Sequence, residues 1–262
     1  MSATHPVPVE DRPPLSERHF VLATDLDGTF LGGSDADRQR LYDWIEAHRD
    51  TVGLVFVTGR DPEFIAELCD GGVPWPEYVI GDVGTTIARV DGRTIAPIEA
   101  LEKEIAEAWG DAGDRVRAAF DGHPGLRLQP TEFRYRVSYD LHPADFHASG
   151  KDKVEEMGLD WLISDNRYFD VLPKGVSKGP SLRRFVAHME IGEDRVLAAG
   201  DTLNDASMLE CGLPAVAVGG SEQALLDRVA HLPHVHSAKA IGAAGILEAI
   251  VEKNLHPTAK GA

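Results

Sequence analysis

Two carboxylates, Asp25 and Asp27, stand where the apolar run Phe20 to Leu26 gives way to Gly28 and Thr29. In an extended strand, side chains two residues apart share a face. Two such charges about 4 Å apart, at an effective dielectric of about 20, repel by roughly 4 kcal/mol. A divalent cation removes that penalty, and Mg²⁺ suits it because it favours oxygen ligands and keeps several waters. Gly28 permits a tight turn directly after the second carboxylate. Taken alone, the segment also reads as a surface turn, since Asp and Gly commonly end strands.

Three further segments carry reactive side chains at what read as strand or helix ends. In Val55-Phe56-Val57-Thr58-Gly59-Arg60, the Thr58 hydroxyl can donate to a phosphoryl oxygen, or simply cap a helix. In Lys174-Gly175-Val176-Ser177-Lys178-Gly179, a lysine can open a helix and project toward the same rim; a solvated loop lysine is the plainer reading. In Ala199-Gly200-Asp201-Thr202-Leu203-Asn204-Asp205, Asp201 sits at a strand tip as a metal ligand would. Asp205 has the alternative role of stabilising a helix N-terminus. Four weak signals in one order make a strong joint one.

The elements that would position these groups alternate between β-rich runs and helical periodicity. Strands are expected at 20–26, 52–57, 78–80, 195–199 and 215–218. Helices are expected at 35–49, 62–69, 178–189, 204–211, 222–229 and 241–253. Such alternation predicts a parallel sheet covered on both faces. The middle differs. Asp91-Gly92 signals a hairpin between 85–90 and 93–95, followed by a helix over 99–120, alternating segments near 126–129 and 133–141, a helix over 144–157, and strands at 161–163 and 168–172. The expected fold is α/β, a Rossmann-like parallel-sheet core (19–83 and 173–262) with an inserted α+β cap domain (84–172), after a flexible segment 1–18. The chain crossings near Gly81 to Gly84 and Pro173 to Gly175 are candidate hinges.

Net charge is −17 without a Lys/Arg run, which argues against nucleic acid or an anionic membrane as partner. Cys69 and Cys211 offer neither a disulfide framework nor a zinc-site spacing. The N-terminal stretch lacks an apolar signal core and no segment is long and apolar enough to span a bilayer, so a cytoplasmic location is expected. His231, His234 and His236 lie near Pro233, in what reads as a loop, and are a minor metal-site candidate.

Together the four segments resemble the haloacid dehalogenase superfamily. DLDGT at Asp25 to Thr29 resembles its first motif, Thr58 in VTGR its second, Lys178 in GVSKG its third, and GDTLND at Gly200 to Asp205 its fourth. The long gap from Thr58 to Lys178 is where this superfamily inserts its larger cap. Gly81 to Ile87, Arg134 to Asp140 and Phe169 to Gly179 resemble, more loosely, sucrose-phosphatases and related sugar-phosphate phosphatases, although Gly28 departs from the residue often found at its position there. The resemblance implies a Mg²⁺-dependent phosphatase acting on a sugar phosphate, such as sucrose phosphate or mannosylfructose phosphate.

It also implies roles. Asp25 is the nucleophile that becomes an aspartyl phosphate, and Asp27 the general acid and base. Asp25, the Asp27 carbonyl and Asp201 hold the metal, with Asp205 supporting that shell. Thr58, Lys178 and Asn204 hold the phosphoryl oxygens. Arg134 and Arg136, expected on one strand face with Tyr135 opposite, are candidates to meet sugar hydroxyls or a second anion. The rival readings are a phosphomutase using the same aspartyl phosphate and a non-catalytic sugar-phosphate-binding protein.

Overall fold

The computed structural model describes residues 12–164 and 166–259. It divides into two compact units, one of residues 1–98 and 178–262, the other of 99–177. The expected 83/84 and 172/173 boundaries thus differ from the observed ones. Thr86–Asp91 and Thr94–Pro97 extend the first unit's sheet rather than starting the insertion.

The first unit is built on an eight-stranded sheet. In chain order it contains β1 (Phe20–Thr24), α1 (Asp35–Ala47), β2 (Val52–Val57), α2 (Pro62–Asp70), β3 (Tyr78–Gly81), β4 (Thr86–Asp91) and β5 (Thr94–Pro97). The insertion intervenes. Its elements are α3 (Glu99–Trp109), α4 (Ala112–Phe120), β6 (Leu126–Leu128), β7 (Val137–Leu141), α5 (Ser149–Glu156), β8 (Asp160–Ser164) and β9 (Tyr168–Leu172). The chain then returns with α6 (Lys178–His188), β10 (Val196–Gly200), α7 (Ala206–Leu209), β11 (Ala215–Gly219), α8 (Gln223–Val229), β12 (Val235–Ile241) and α9 (Ala243–Glu252).

The sheet order is β12-β11-β10-β1-β2-β3-β4-β5, parallel from β12 to β3 and antiparallel at β4 and β5. β1, β2 and β10 are buried along their whole length, the mark of parallel strands covered on both faces. Phe20, Leu22, Phe30, Leu54, Phe56, Ile246 and Ile250 meet in one apolar cluster. Each such side chain contributes roughly 1.5–3 kcal/mol by leaving water. From β1 the chain runs outward through β2 and β3, then returns to β10 on β1's other side. The order therefore reverses between β1 and β10, and ligands of open α/β sheets bind outside the strand ends at such a point.

Local signals explain the starts of α1 and α2. Ser34 caps α1 reciprocally with Asp37, and the Asp61 side chain caps α2, where Pro62 opens the helix. Of the segment expected to be flexible, residues 1–11 lie outside the described residues. Residues 12–18 are pinned: Glu77 accepts from Arg12 and Arg18, each at 2.8 Å, and from the Leu54 amide. At the same N-terminal end of the strands, Thr258 binds three neighbours. Its Oγ1 lies 2.9 Å from His256 Nδ1, 2.9 Å from His48 Nε2 and 3.2 Å from Trp44 Nε1.

Other expectations need correction. The long helix over 99–120 is two, broken at Gly110, whose φ of +53° leaves the helical region. The strand expected over 133–141 begins only at Val137, and the helix expected from 144 begins at Ser149. His231 to His234 lie in a turn as expected, but β12 begins directly after them and takes in His236. As an edge strand it has an alternating, half-exposed pattern rather than an apolar run.

The second unit is a four-stranded antiparallel sheet, β6-β7-β9-β8. Val137, Tyr139, Leu141, Phe169 and Val171 join α4's Val116 and Phe120 in its core. Period-2 alternation turns Ser138 to the other face, where it bonds Asp170.

Candidate active site

Strand ends deliver the groups. Asp25 follows β1, with its amide bonded to Ala199 O of β10 at 2.9 Å. Residues 26–30 then form a wide turn, in which Gly28 has φ +80°. A Cβ at Gly28 would lie 2.1 Å from Asp201 Oδ2, so only glycine lets the first acidic loop meet the fourth. Thr29 Oγ1 closes that contact by donating to Asp201 Oδ1 at 2.6 Å.

Lys178 opens α6 and is 1% exposed. Its ammonium has three protons and three acceptors: Asp25 Oδ1 at 2.7 Å, Asp205 Oδ1 at 2.6 Å and Asn204 Oδ1 at 3.1 Å. Asp205 Oδ2 accepts from the amides of Asp201 and Thr202 at 3.0 and 3.1 Å. Asp205 is therefore fully engaged in holding Lys178 and the 201–202 backbone.

Carboxylate oxygens of Asp25, Asp201 and Asp205 lie within 4.8 Å of one another. Charge decides what that means. Burial lifts the Asp25 carboxyl to about 8, with Lys178 opposing and Asp205 and Asp201 adding to the rise. Burial also lifts Asp201 to about 6, against the Thr29 hydrogen bond and with help from Asp205. For Lys178, burial disfavours the ammonium, but Asp205 and Asp25 outweigh it and raise its pKa above the ordinary range. One ammonium does not neutralise three converging carboxylates. An all-oxygen set with surplus negative charge fits a hard divalent cation such as Mg²⁺.

Thr58 is buried directly after β2. Its hydroxyl accepts from the Arg60 amide at 3.1 Å, leaving its own proton available to another acceptor. The Val83 amide donates to Thr58 O at 3.2 Å and the Asp82 amide to Arg60 O at 3.4 Å. That bracing turn holds Asp82 and Val83 at φ +51° and +61°. Such non-glycine conformations cost roughly 1–3 kcal/mol each and gather at functional sites.

Asp27 stands apart from the cluster. Its Oδ2 accepts from Arg60 Nε at 2.9 Å, and the two side chains are 58% and 49% exposed. So exposed a pair contributes only about 0–1 kcal/mol to stability.

The remaining candidates have partners within their own units. Arg134 pairs with Glu102, which also accepts from Tyr135. Buried Arg136 lies 3.6 Å from Asp170 and over the Phe133 ring. The two arginines precede β7, so the shared strand face does not exist. A cavity of about 140 Å³ in this unit, lined in part by Arg117, Gln129, Thr131 and Arg136, is smaller than the roughly 300–1,000 Å³ of ordinary ligand sites. His234 Nε2 meets Leu209 O and His236 Nε2 meets Glu248, and among the described residues the histidines form no metal cluster. Thr29 and Arg60 are the contributors that motif reading passed over. Both lie inside the quoted motifs, but only the fold shows what they touch.

A largely parallel sheet that carries four such loops in this order at its switch point is the architecture of phosphatases of the haloacid dehalogenase type. The family model for sucrose-6F-phosphate phosphohydrolase matches residues 18–252, and the chain belongs to that family. It is 41% identical over 236 residues to glucosylglycerol-phosphate synthase of Pseudomonas anguilliseptica, covering 88% of this chain but 30% of that protein. It is 30% identical over 250 residues to mannosylfructose-phosphate phosphatase of Agrobacterium fabrum, covering 90% and 98% of the two. The chain thus spans under a third of the first relative's length and nearly all of the second's. In fold it is similar to the sucrose-phosphatase of Synechocystis, solved with sucrose and phosphate. The TM-score is 0.81 at 24% identity, over 90% of this chain and 98% of that one.

Proposed function

We propose that this chain hydrolyses a phosphomonoester of a small glycoside, with Mg²⁺, through an aspartyl phosphate on Asp25. The observation that carries the reading is the meeting of Asp25, Asp201, Asp205 and Lys178 at the switch point, from segments far apart in the chain. Asp25 and Asp201, with the Asp27 carbonyl, would hold the metal, and Asp205 would orient them. When bound, Mg²⁺ supplies positive charge that favours the ionised carboxylates and offsets the phosphate dianion.

In the first step a carboxylate oxygen of Asp25 bonds to phosphorus, the ester P–O bond breaks, and Asp27 gives its proton to the departing alkoxide oxygen. In the second, Asp27 takes a proton from water, the water oxygen bonds to phosphorus, and the bond to Asp25 breaks. Thr58, Asn204 and Lys178 orient the phosphoryl oxygens. Lys178 also fixes the Asp25 rotamer through its 2.7 Å contact. Positioned charge of this kind is where phosphoryl transfer gains most of its rate.

The relatives' names guide the substrate class. One acts on mannosylfructose phosphate and one is a glucosylglycerol-phosphate synthase, and both compounds are phosphate esters of a glycoside. The test is phosphate release from sucrose 6F-phosphate, mannosylfructose phosphate, glucosylglycerol phosphate and simple hexose phosphates, with and without Mg²⁺. Labelled substrate should leave acid-stable label on Asp25, and Asp25→Asn should abolish it; label on another residue sinks the mechanism. Activity only with added sugar bisphosphate would instead identify a mutase.

A further inference from the structure

One charged contact outside the lysine–carboxylate cluster reaches a group with a proposed catalytic role. We infer that Arg60 is a positioning residue for Asp27, holding its carboxyl where it can protonate the departing oxygen; this rests on the proposed role of Asp27 as general acid.

The contact is built from several sides. Arg60 Nε donates to Asp27 Oδ2 at 2.9 Å. The guanidinium lies 4.5 Å from the centre of the Phe64 ring on α2, a placement that suits a planar cation and fixes its plane. The Arg60 backbone is held at both ends, its amide by Thr58 Oγ1 and its carbonyl by the Asp82 amide. That second partner belongs to the turn with two non-glycine residues at positive φ. The same turn braces Thr58 through the Val83 amide, so Arg60 is held by the framework that places a phosphate-binding candidate.

Stability does not explain the pair, because both side chains are about half exposed. Asp27 follows Asp25 by two residues, yet its carboxyl is turned to Arg60 rather than to Lys178. Its carboxyl is therefore held away from the lysine. During the first step the proton passes from Asp27 to the ester oxygen as the P–O bond breaks, while Arg60 keeps all of its own protons.

The leaving group supplies the test. An alkoxide needs protonation to depart, whereas p-nitrophenolate does not. A defect in placing the acid must therefore weigh on alkyl esters and spare the aryl ester. Sucrose 6F-phosphate and p-nitrophenyl phosphate are compared by kcat/KM, or by single-turnover rate where turnover stops. The alkyl-to-aryl ratio is expected to fall about 100-fold in Asp27→Asn and about 10-fold in Arg60→Gln, since a positioned acid is worth roughly 10²–10⁴-fold. Arg60→Lys should recover part of the loss, because it keeps the charge without the planar fork. If Asp27→Asn shifts the ratio but Arg60→Gln slows both esters equally, or neither, the inference about Arg60 is overturned and the role of Asp27 stands. If Asp27→Asn leaves the ratio unchanged, the role of Asp27 fails and this inference falls with it.

Discussion

At the scale of single residues, Lys178 bears the most consequence, because its three protons are shared among the proposed nucleophile, a structural carboxylate and an amide. Removing one such electrostatic stabiliser costs about 3–4 kcal/mol of transition-state energy, so Lys178→Ala should lower kcat by roughly 10²–10³-fold. Wild-type turnover in that variant would remove Lys178 from the chemistry. The raised carboxyls give a second expectation, for protein stripped of metal. Asp25 and Asp201 sit near 8 and 6, above the ordinary 3.8. A carboxyl raised by folding favours the native state while protonated, and that contribution disappears as pH climbs through the folded value. Metal-free protein should therefore lose thermal stability as pH rises from about 4, the unfolded value, to about 8, with Mg²⁺ restoring it. Melting curves at several pH values, in EDTA and in Mg²⁺, decide this; an EDTA curve flat or rising over that range refutes it.

Elements show where sequence suffices and where it does not. β1, β2, β10 and β11 were legible because strands covered on both faces must be apolar throughout. The acid-bearing turns after β1 and β10 were legible because carboxylates and glycine at a strand end leave few readings. β12 was not, since an edge strand need not be apolar, and the break at Gly110 is invisible to helical periodicity. Pairings such as Arg60 with Asp27, or Arg134 with Glu102, depend on distant segments and have no local signature. The same holds for the C-terminal tether, where Thr51 and His48 from the approach to β2 meet His256 and Thr258. His256 Nδ1 contacts Thr258 Oγ1 and its Nε2 contacts Thr51 Oγ1. Burial, then the neighbouring His48 and His19, push its pKa below the ordinary 6.5. The unfolded chain therefore takes up a proton there before the folded chain does. Stability should be intact above about pH 7 and decline as pH falls through about 6.5. His256→Asn should flatten part of the fall in melting temperature between pH 7 and 5; an unchanged slope would show that the tether does not titrate.

For the whole molecule, charge is the governing quantity. A chain of net charge −17 must admit a phosphate dianion, and the proposed site is close to neutral even with its metal. Substrate therefore approaches against a repulsive long-range field. Raising salt from about 10 mM to about 100 mM shortens the Debye length from about 30 Å to about 10 Å, and should raise kcat/KM by about 2–5-fold. A fall with salt would mean that local positive charge dominates the encounter. Chain order has its own consequence. Asp25 and Lys178 are 153 residues apart in sequence, and Asp201 comes later still. A ribosome therefore releases the proposed nucleophile well before the groups that meet it. Nascent protein halted before Lys178 would hold an aspartate without its partners, and on the proposed mechanism hydrolysis would begin only once the segment through Asp205 has emerged.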